Sequence, residues 1–158
     1  GDLKNALEQA ERAYGYNQDE YTASVLGYIY EKIGELDKAE QYYSIGVKFK
    51  PSYVIAKFNL SVVYLLKKRY KDAIELLEGL EIYMPRPPSV IRAKILNNRG
   101  CALWGLGQKD QAKIFFREAL NVLPSLREAR ENLNLGVEQQ PMGTLAETPL
   151  LRLPGKSL

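Results

Sequence analysis

The sequence predicts an all-α fold of stacked helical hairpins, and this prediction depends on a repeated pattern and its spacing. The pattern combines a small residue, a larger residue three positions later, an alanine and a closing proline. Its alanine recurs after 34 residues, from Ala39 to Ala73, and after 39 residues at Ala112, so the third copy contains five additional residues. Each copy describes two helices that bury their apolar faces only by stacking on the next copy.

The three copies agree at five positions. These are Gly27, Tyr30, Ala39, Tyr43 and Pro51, then Ser61, Tyr64, Ala73, Leu77 and Pro85, and finally Gly100, Leu103, Ala112, Phe116 and Pro124. The pattern resembles that of the tetratricopeptide repeat family. The resemblance implies a right-handed α-solenoid of antiparallel helix pairs, whose first helices line a concave groove that binds extended or helical segments of partner proteins.

Residues 3–14 are predicted to form a half repeat before the first full copy. Leu3, Ala6 and Ala10 recur at helical spacing, as in the second helix of a preceding repeat, and Gly15 is expected to end this helix. Because the helical pattern starts at once without an initiator methionine, we expect the chain to be part of a longer protein.

Two full repeats of equal length are predicted to follow. The first spans residues 20–53, with Asp37 as the N-cap of its second helix. The second spans residues 54–87, with its first helix opening at Ser52 and a turn near Lys68.

The third repeat is predicted to span residues 88–126. Three prolines between residues 85 and 88 exclude helix just before it, and Ser89 is a suitable N-cap. A first helix over residues 90–106 would absorb the five additional residues as about one and a half turns. The second helix of this repeat is predicted over residues 110–122.

A cap helix over residues 126–139 is predicted to close a solenoid that occupies residues 1–139. Ser125 and Glu128 have the spacing of a capping box at its start, and charged side chains supply the polar surface that a terminal repeat needs. Residues 140–158 contain three prolines and are predicted to form an extended tail. We expect this tail to dock on the solenoid of its own or a neighbouring molecule, with the groove as the favoured place. The alternative is a contact without a role in solution.

Composition limits the possible functions. The 158 residues contain no histidine and one cysteine, which excludes the common zinc sites, histidine-dependent catalytic pairs and an internal disulfide bond. We therefore expect no enzyme activity, no metal and no cofactor. The net charge of +3 arises from 22 basic and 19 acidic residues that are interspersed, which does not indicate nucleic-acid binding. No apolar run reaches the roughly 18 residues of a membrane span.

Candidate site residues follow from the resemblance, because the groove positions of the family can be transferred to this sequence. The candidate peptide-binding residues are Tyr21, Tyr28, Phe58, Asn59, Val62, Lys94, Asn97, Asn98 and Cys101. The same row of positions also contains Ser24, Val25, Ile55, Leu65, Glu128, Glu131 and Asn132.

The asparagines are the most informative members of this row. Asn59 and Asn98 occupy the same repeat position, and asparagine is a poor helix former in mid-helix. Its amide offers a donor and an acceptor to the main chain of a bound peptide. The alternative is that these amides are merely solvated. Phe58 has the alternative role of a core residue, and Cys101 that of a small buried hydrophobe.

One specialisation of the family is a carboxylate clamp, which holds the C-terminal carboxylate of a heat-shock chaperone. Asn59 and Lys94 match two of its five positions, whereas Ser24, Tyr28 and Asn98 depart from the residues that the clamp requires. We therefore expect a non-enzymatic scaffold that binds a protein or peptide segment in the groove, without a complete clamp. The alternative is a structural module that forms homo-oligomers through the convex face or the solenoid ends.

Overall fold

The computed structural model describes residues 2–135 together with residues 139, 141 and 143. In this part of the chain every regular element is an α-helix. The helices are α1 (Asp2–Tyr16), α2 (Glu20–Ile33), α3 (Leu36–Phe49), α4 (Val54–Leu66), α5 (Tyr70–Tyr83), α6 (Ser89–Gly105), α7 (Lys109–Val122) and α8 (Arg127–Leu133).

The helices stack in chain order. Each helix packs against the next from α1 to α8, and the first helices of the pairs also contact one another directly, α2 with α4 and α4 with α6. The first helices α2, α4 and α6 therefore form a continuous row along the stack. The prediction of an all-α solenoid of helix pairs is confirmed. Among the described residues, no helix is long and apolar enough to cross a membrane.

The small residue of the pattern allows close approach within a pair. A Cβ atom added at Gly27 would lie 2.8 Å from Cδ1 of Tyr43, and one added at Gly100 would lie 2.5 Å from Cε1 of Phe116. Both distances are too short for a side chain, so glycine is required where an aromatic ring lies flat on the first helix. The rings themselves are fully buried.

The turn inside each pair recurs with the spacing of the sequence pattern, 34 residues and then 39. Gly34, Lys68 and Gly107 lie at equivalent positions and adopt φ values of 91°, 59° and 81°. This left-handed conformation favours glycine, so the middle turn carries some strain at its lysine. The expected turn near Lys68 is present in the structure.

Several predicted helix ends are wrong. Gly15 lies inside α1, where open space surrounds it and nothing forces the helix to stop. Asp37 lies in the first turn of α3 after the cap residue Glu35, and its carboxylate accepts a hydrogen bond from Lys67 Nζ at 2.6 Å. Ser52 precedes the start of α4, and Ser89 is already helical after Pro88.

A capping box occurs at the start of α2 and not at the cap helix, where it was predicted. Asp19 precedes α2 and accepts a hydrogen bond from the main-chain nitrogen of Thr22 at 2.8 Å. The main-chain nitrogen of Asp19 in turn donates to Thr22 Oγ1 at 3.2 Å. Two otherwise unpaired main-chain groups are satisfied in this way.

The cap helix is shorter than predicted. Helix α8 ends at Leu133, where the side-chain amide of Asn134 donates to the carbonyl of Arg130 at 3.1 Å. The predicted end at Gln139 is wrong, because that residue is not helical. The predicted cap by Ser125 is also wrong, since Leu126 holds the cap position without a side-chain hydrogen bond.

Candidate functional site

The predicted groove residues lie on the first helices α2, α4 and α6, and they differ in exposure. Three of them are half-buried, namely Tyr21, Tyr28 and Lys94. The other six are buried, namely Phe58, Asn59, Val62, Asn97, Asn98 and Cys101.

Phe58 belongs to the core. Together with Val62 it packs against Leu77, Leu80 and Ile95, which come from α5 and α6. Its side chain is 1% exposed, so it is not available to a ligand. Its role is to pack α4 against α5 and α6. Val62 belongs to the same cluster but also borders the groove cavity described below.

The asparagines at the C-terminal end of the row form a buried network. Asn132 Nδ2 of α8 donates to Asn97 Oδ1 at 2.9 Å, and Asn97 Nδ2 donates to Asn98 Oδ1 at 3.4 Å. Asn132 Nδ2 and Asn97 Nδ2 also approach Cys101 Sγ, at 3.6 Å and 3.9 Å. The interpretation of Asn97 and Asn98 as solvated side chains is wrong, because both are fully buried.

Cys101 is an inert member of this network. Burial raises the pKa of its thiol far above the ordinary value, so the thiolate is not populated near neutral pH. The sulfur therefore acts as a small apolar group and weak acceptor, which agrees with the alternative stated for it above.

Asn59 differs from the other asparagines because its amide has no partner. The side chain is fully buried, and neither Oδ1 nor Nδ2 makes a hydrogen bond. The nearby hydroxyl of Tyr43 donates to Glu31 Oε2 at 3.2 Å, and burial raises the pKa of this hydroxyl against a smaller lowering by the Asn59 amide. An unpaired buried amide is unfavourable for folding by about 1–3 kcal/mol, so the site retains a polar group that the fold does not use.

Burial dominates the electrostatics around Tyr43. It raises the pKa of the Tyr43 hydroxyl well above the ordinary value, and the negative charge of Glu31 acts in the same direction. Burial also raises the pKa of the Glu31 carboxyl, against the opposing influence of Lys32 and Tyr43. The centre of the first repeat therefore resists additional negative charge.

A cavity of about 230 Å³ lies at the groove between α4 and α6. Val62 and Leu65 of α4 and Cys101 of α6 form its helical walls, and Pro141 and Gly143 form another wall. A Cβ atom added at Gly143 would lie 3.4 Å from Leu65 Cδ1 and 3.7 Å from Asn98 Oδ1. The described residues after α8 thus return to the first helices.

Trp104 holds this returning segment. Its Nε1 donates a hydrogen bond to the main-chain carbonyl of Gln139 at 2.9 Å, while its ring packs near Phe116. Trp104 was not among the groove residues predicted from the sequence. The available signal was the indole N–H, which finds an acceptor when it is buried. Most of the predicted tail, residues 140–158, lies outside the described residues.

The side chains of the candidate site are amide, indole and apolar groups. Within residues 2–135 and the three described positions beyond them, no group of histidine, cysteine, aspartate and glutamate side chains could hold a metal ion. Beside the apolar walls of the 230 Å³ cavity lie the indole donor of Trp104 and the buried amide network of Asn97, Asn98 and Asn132.

Family models described as Tetratricopeptide repeat match this chain at residues 25–87 and residues 93–124. The two matches together cover more than half of the sequence. No curated protein matches the chain in a sequence search.

Solved structures of similar fold include one domain with a bound peptide. The first TPR of Spaghetti (RPAP3), bound to the HSP90 peptide SRMEEVD, is 23% identical with a TM-score of 0.64, and the match covers 73% of this chain and 88% of that one. The N-terminal domain of STI-1 from C. elegans is 19% identical with a TM-score of 0.59, covering 72% and 93%. MamA 41-end from Desulfovibrio magneticus RS-1 is 20% identical with a TM-score of 0.72, covering 84% and 73%. At these identities the likeness concerns the fold.

Proposed function

The chain belongs to the tetratricopeptide repeat family, whose fold serves protein interaction, and we propose that its concave groove binds an extended segment of a partner protein. The observation that carries this proposal is the hydrogen bond from Trp104 to the carbonyl of Gln139. A non-helical piece of main chain already contacts the first helices through this bond. A partner segment would use the same donor and the same cavity.

The recognition chemistry combines two kinds of contact. Trp104 would hold one main-chain carbonyl of the partner, and the cavity beside Val62 and Leu65 would receive an apolar or small side chain. Asn59 is fully buried and does not line this cavity, so its unused donor and acceptor would serve a partner only where binding opens the packing around α4. The groove is short and the segment must be ordered, so the affinity should be on the order of micromolar.

We propose further that residues 139–143 compete with the partner for this site. Gln139 accepts the hydrogen bond of Trp104, and Gly143 lies against Leu65 and Asn98, which are side chains that a partner would need. An occupant joined to the same chain has a high effective concentration, so it weakens the binding of a separate segment.

The proposed partner segment is recognised along its main chain and not by a terminal carboxylate. At the clamp positions of the first repeat, Ser24 is fully buried and its hydroxyl donates to the carbonyl of Glu20 at 2.7 Å. A hydroxyl held in this way cannot replace the lysine of a carboxylate clamp. The HSP90 peptide bound by the Spaghetti domain therefore supports peptide binding by this fold and does not identify the ligand of this chain.

The test uses the chain's own segment as a probe. A fluorescent peptide of residues 139–150, QQPMGTLAETPL, is titrated into the protein shortened to residues 1–138 and into the full chain. We expect micromolar binding to the shortened protein and binding at least several-fold weaker to the full chain. Replacing Asn59 and Asn98 together by alanine should weaken binding several-fold. Unchanged affinity in that double variant would show that the groove assignment is wrong.

Exposed apolar side chains on the second helices support a second candidate, a homo-oligomer formed through the convex face. Ile82 of α5 is 79% exposed and Ile114 of α7 is 49% exposed. Sedimentation velocity of the protein and of an Ile82→Asp, Ile114→Asp variant tests this candidate. A monomer at every concentration contradicts it, and an oligomer that the two substitutions dissociate supports it.

A further inference from the structure

A second cavity, of about 590 Å³, lies between the loop that follows α5 and the start of α6. Pro85 and Pro87 of the loop form one wall, and Ile95 and Leu96 of α6 form the apolar floor. Proline fixes the main-chain angle φ, so this wall is largely preformed before any ligand arrives. The cavity occurs at the five additional residues of the third repeat, where the regular pattern is interrupted.

Three arginines surround this apolar floor. Arg86 comes from the loop, and Arg92 and Arg99 lie two turns apart on the same face of α6. Arg99 Nη2 pairs with Glu78 Oε1 at 2.9 Å, and its guanidinium lies over the ring of Phe115 at 4.8 Å. Arg86 and Arg92 are exposed and form no ion pair within the described part of the chain. The described lining contains no acidic side chain, so the cavity is strongly cationic.

The position of Arg99 is unusual within this protein. The equivalent positions of the first two repeats are Leu26 and Leu60, which are 1% and 4% exposed and belong to the core. An arginine at a position that otherwise holds a buried leucine loses apolar contact and must keep its charge near water. Local departures from a consistent pattern occur preferentially at functional sites, which draws attention to this cavity.

This cavity is separate from the groove. Successive helical residues are rotated by about 100°, so Arg92, Leu96 and Arg99 lie on roughly the opposite side of α6 from Asn98 and Cys101. Asn98 and Cys101 contact the groove, whereas the three others line the cationic cavity. Helix α6 therefore presents two surfaces of different chemistry.

We propose that the cationic cavity binds an acidic segment of a partner protein. Its carboxylates would pair with Arg86 and Arg92, and an apolar side chain between them would pack on Ile95 and Leu96. Guanidinium groups are suited to carboxylates because their planar fork of donors matches two oxygens. The volume is much larger than a small inorganic anion needs, and one cavity of three arginines is not the basic stripe that nucleic acid requires.

The experiment uses the full chain and a defined probe. The probe is a fluorescent, capped peptide in which four aspartates alternate with three leucines, and its matched control has asparagine in place of each aspartate. Binding is followed by anisotropy and mapped by amide chemical shifts. We expect the acidic peptide to shift the signals of Arg86, Arg92 and Ile95, and we expect its affinity to fall with added salt.

Two double variants of equal charge make the comparison specific. Arg86→Gln with Arg92→Gln should weaken the acidic peptide by about fivefold or more, because both proposed charge pairs are lost. Arg12→Gln with Arg127→Gln removes the same charge from two exposed positions on α1 and α8 and should change the affinity by less than about twofold.

Three results would overturn the proposal. Equal weakening in the two double variants would mean that the peptide is attracted by the net charge of the protein and not by this cavity. Equal binding of the asparagine peptide would mean that carboxylate–arginine pairs do not contribute to the affinity. Shifts confined to α4 and the groove face of α6 would place the acidic peptide in the groove, which contradicts this inference and leaves the proposed groove function intact.

Discussion

The indole nitrogen of Trp104 donates a hydrogen bond of 2.9 Å to the main-chain carbonyl of Gln139. These two residues join the third repeat to the segment that follows the last helix. Trp104 is the single tryptophan of the sequence and is 3% exposed. Its fluorescence therefore reports on this contact without any label.

Shortening the protein to residues 1–138 should move the emission maximum of Trp104 to longer wavelength, because the ring loses its cover and meets water. Adding the peptide of residues 139–150 should reverse the shift. A protein that lacks only residues 144–158 serves as the control and should keep the original emission, since Gln139 and Gly143 remain. An identical spectrum for all three proteins would contradict the contact.

Replacing Asn59 by leucine should stabilise the fold and weaken peptide binding at once. The change removes two buried polar atoms without partners, so we expect a gain of roughly 1–3 kcal/mol in the free energy of unfolding. Asn97→Leu is the matched control and should destabilise, because it removes the acceptor of Asn132. Urea unfolding measures both changes, and destabilisation by the Asn59 change would contradict the assignment.

Adding one methyl group at Gly100 should destabilise the third repeat. The new atom would lie 2.5 Å from Cε1 of Phe116 and 3.1 Å from the carbonyl oxygen of Ala112, and such overpacking lowers the free energy of unfolding by about 1–3 kcal/mol. Gly79→Ala in α5 is the control, because no atom lies within 4 Å of its added Cβ. That change should stabilise by up to about 1 kcal/mol through helix propensity. Thermal unfolding of the two variants should show shifts of opposite sign.

The family resemblance assigned Asn97, Asn98 and Cys101 to one row of positions, and in the structure their side chains are neighbours on α6. It did not predict their burial, because Asn132 reaches Asn97 from a position 35 residues away. The cavity around Arg99 was likewise unpredictable in shape. The five additional residues were visible in the sequence, but the path of the proline loop depends on tertiary packing.

Helix caps were predicted less well for a different reason. Asp37 and Ser125 have suitable side chains, yet a cap also needs a non-helical main chain at that residue and a nearby free N–H group. Only tertiary structure decides which polar residue is in that conformation. Asp19 meets both conditions and was not singled out.

Asp19→Ala should therefore destabilise more than Asp37→Ala. The first change removes the capping box of α2, which is worth about 0.5–2 kcal/mol. The second removes an exposed ion pair with Lys67, and we expect a smaller loss. Chemical denaturation of both variants tests the order, and a reversed order would contradict the cap assignment.

Glu31→Gln should change how stability depends on pH. Burial raises the pKa of the Glu31 carboxyl above its ordinary value of 4.5, so the native state binds this proton more tightly than the unfolded state. That contribution is fully present below pH 4.5 and is lost as the pH rises through the native pKa. Glutamine does not titrate, so the variant should gain stability relative to the original protein between acidic and neutral pH. A constant difference across this range would contradict the raised pKa.

The hydrogen bond from Asn132 to Asn97 couples the packing beside the groove to the stability of the last helix. Helix α8 has only seven residues and packs at the end of the stack against α7 and α6, so its opening leaves the earlier helix pairs intact. Each opening of α8 also breaks the hydrogen bond from Asn132 to Asn97 and removes the contact of Asn132 with Cys101. A segment bound in the groove should then slow the hydrogen exchange of the α8 main-chain amides. The exchange rate of α8 would therefore report whether the groove is occupied.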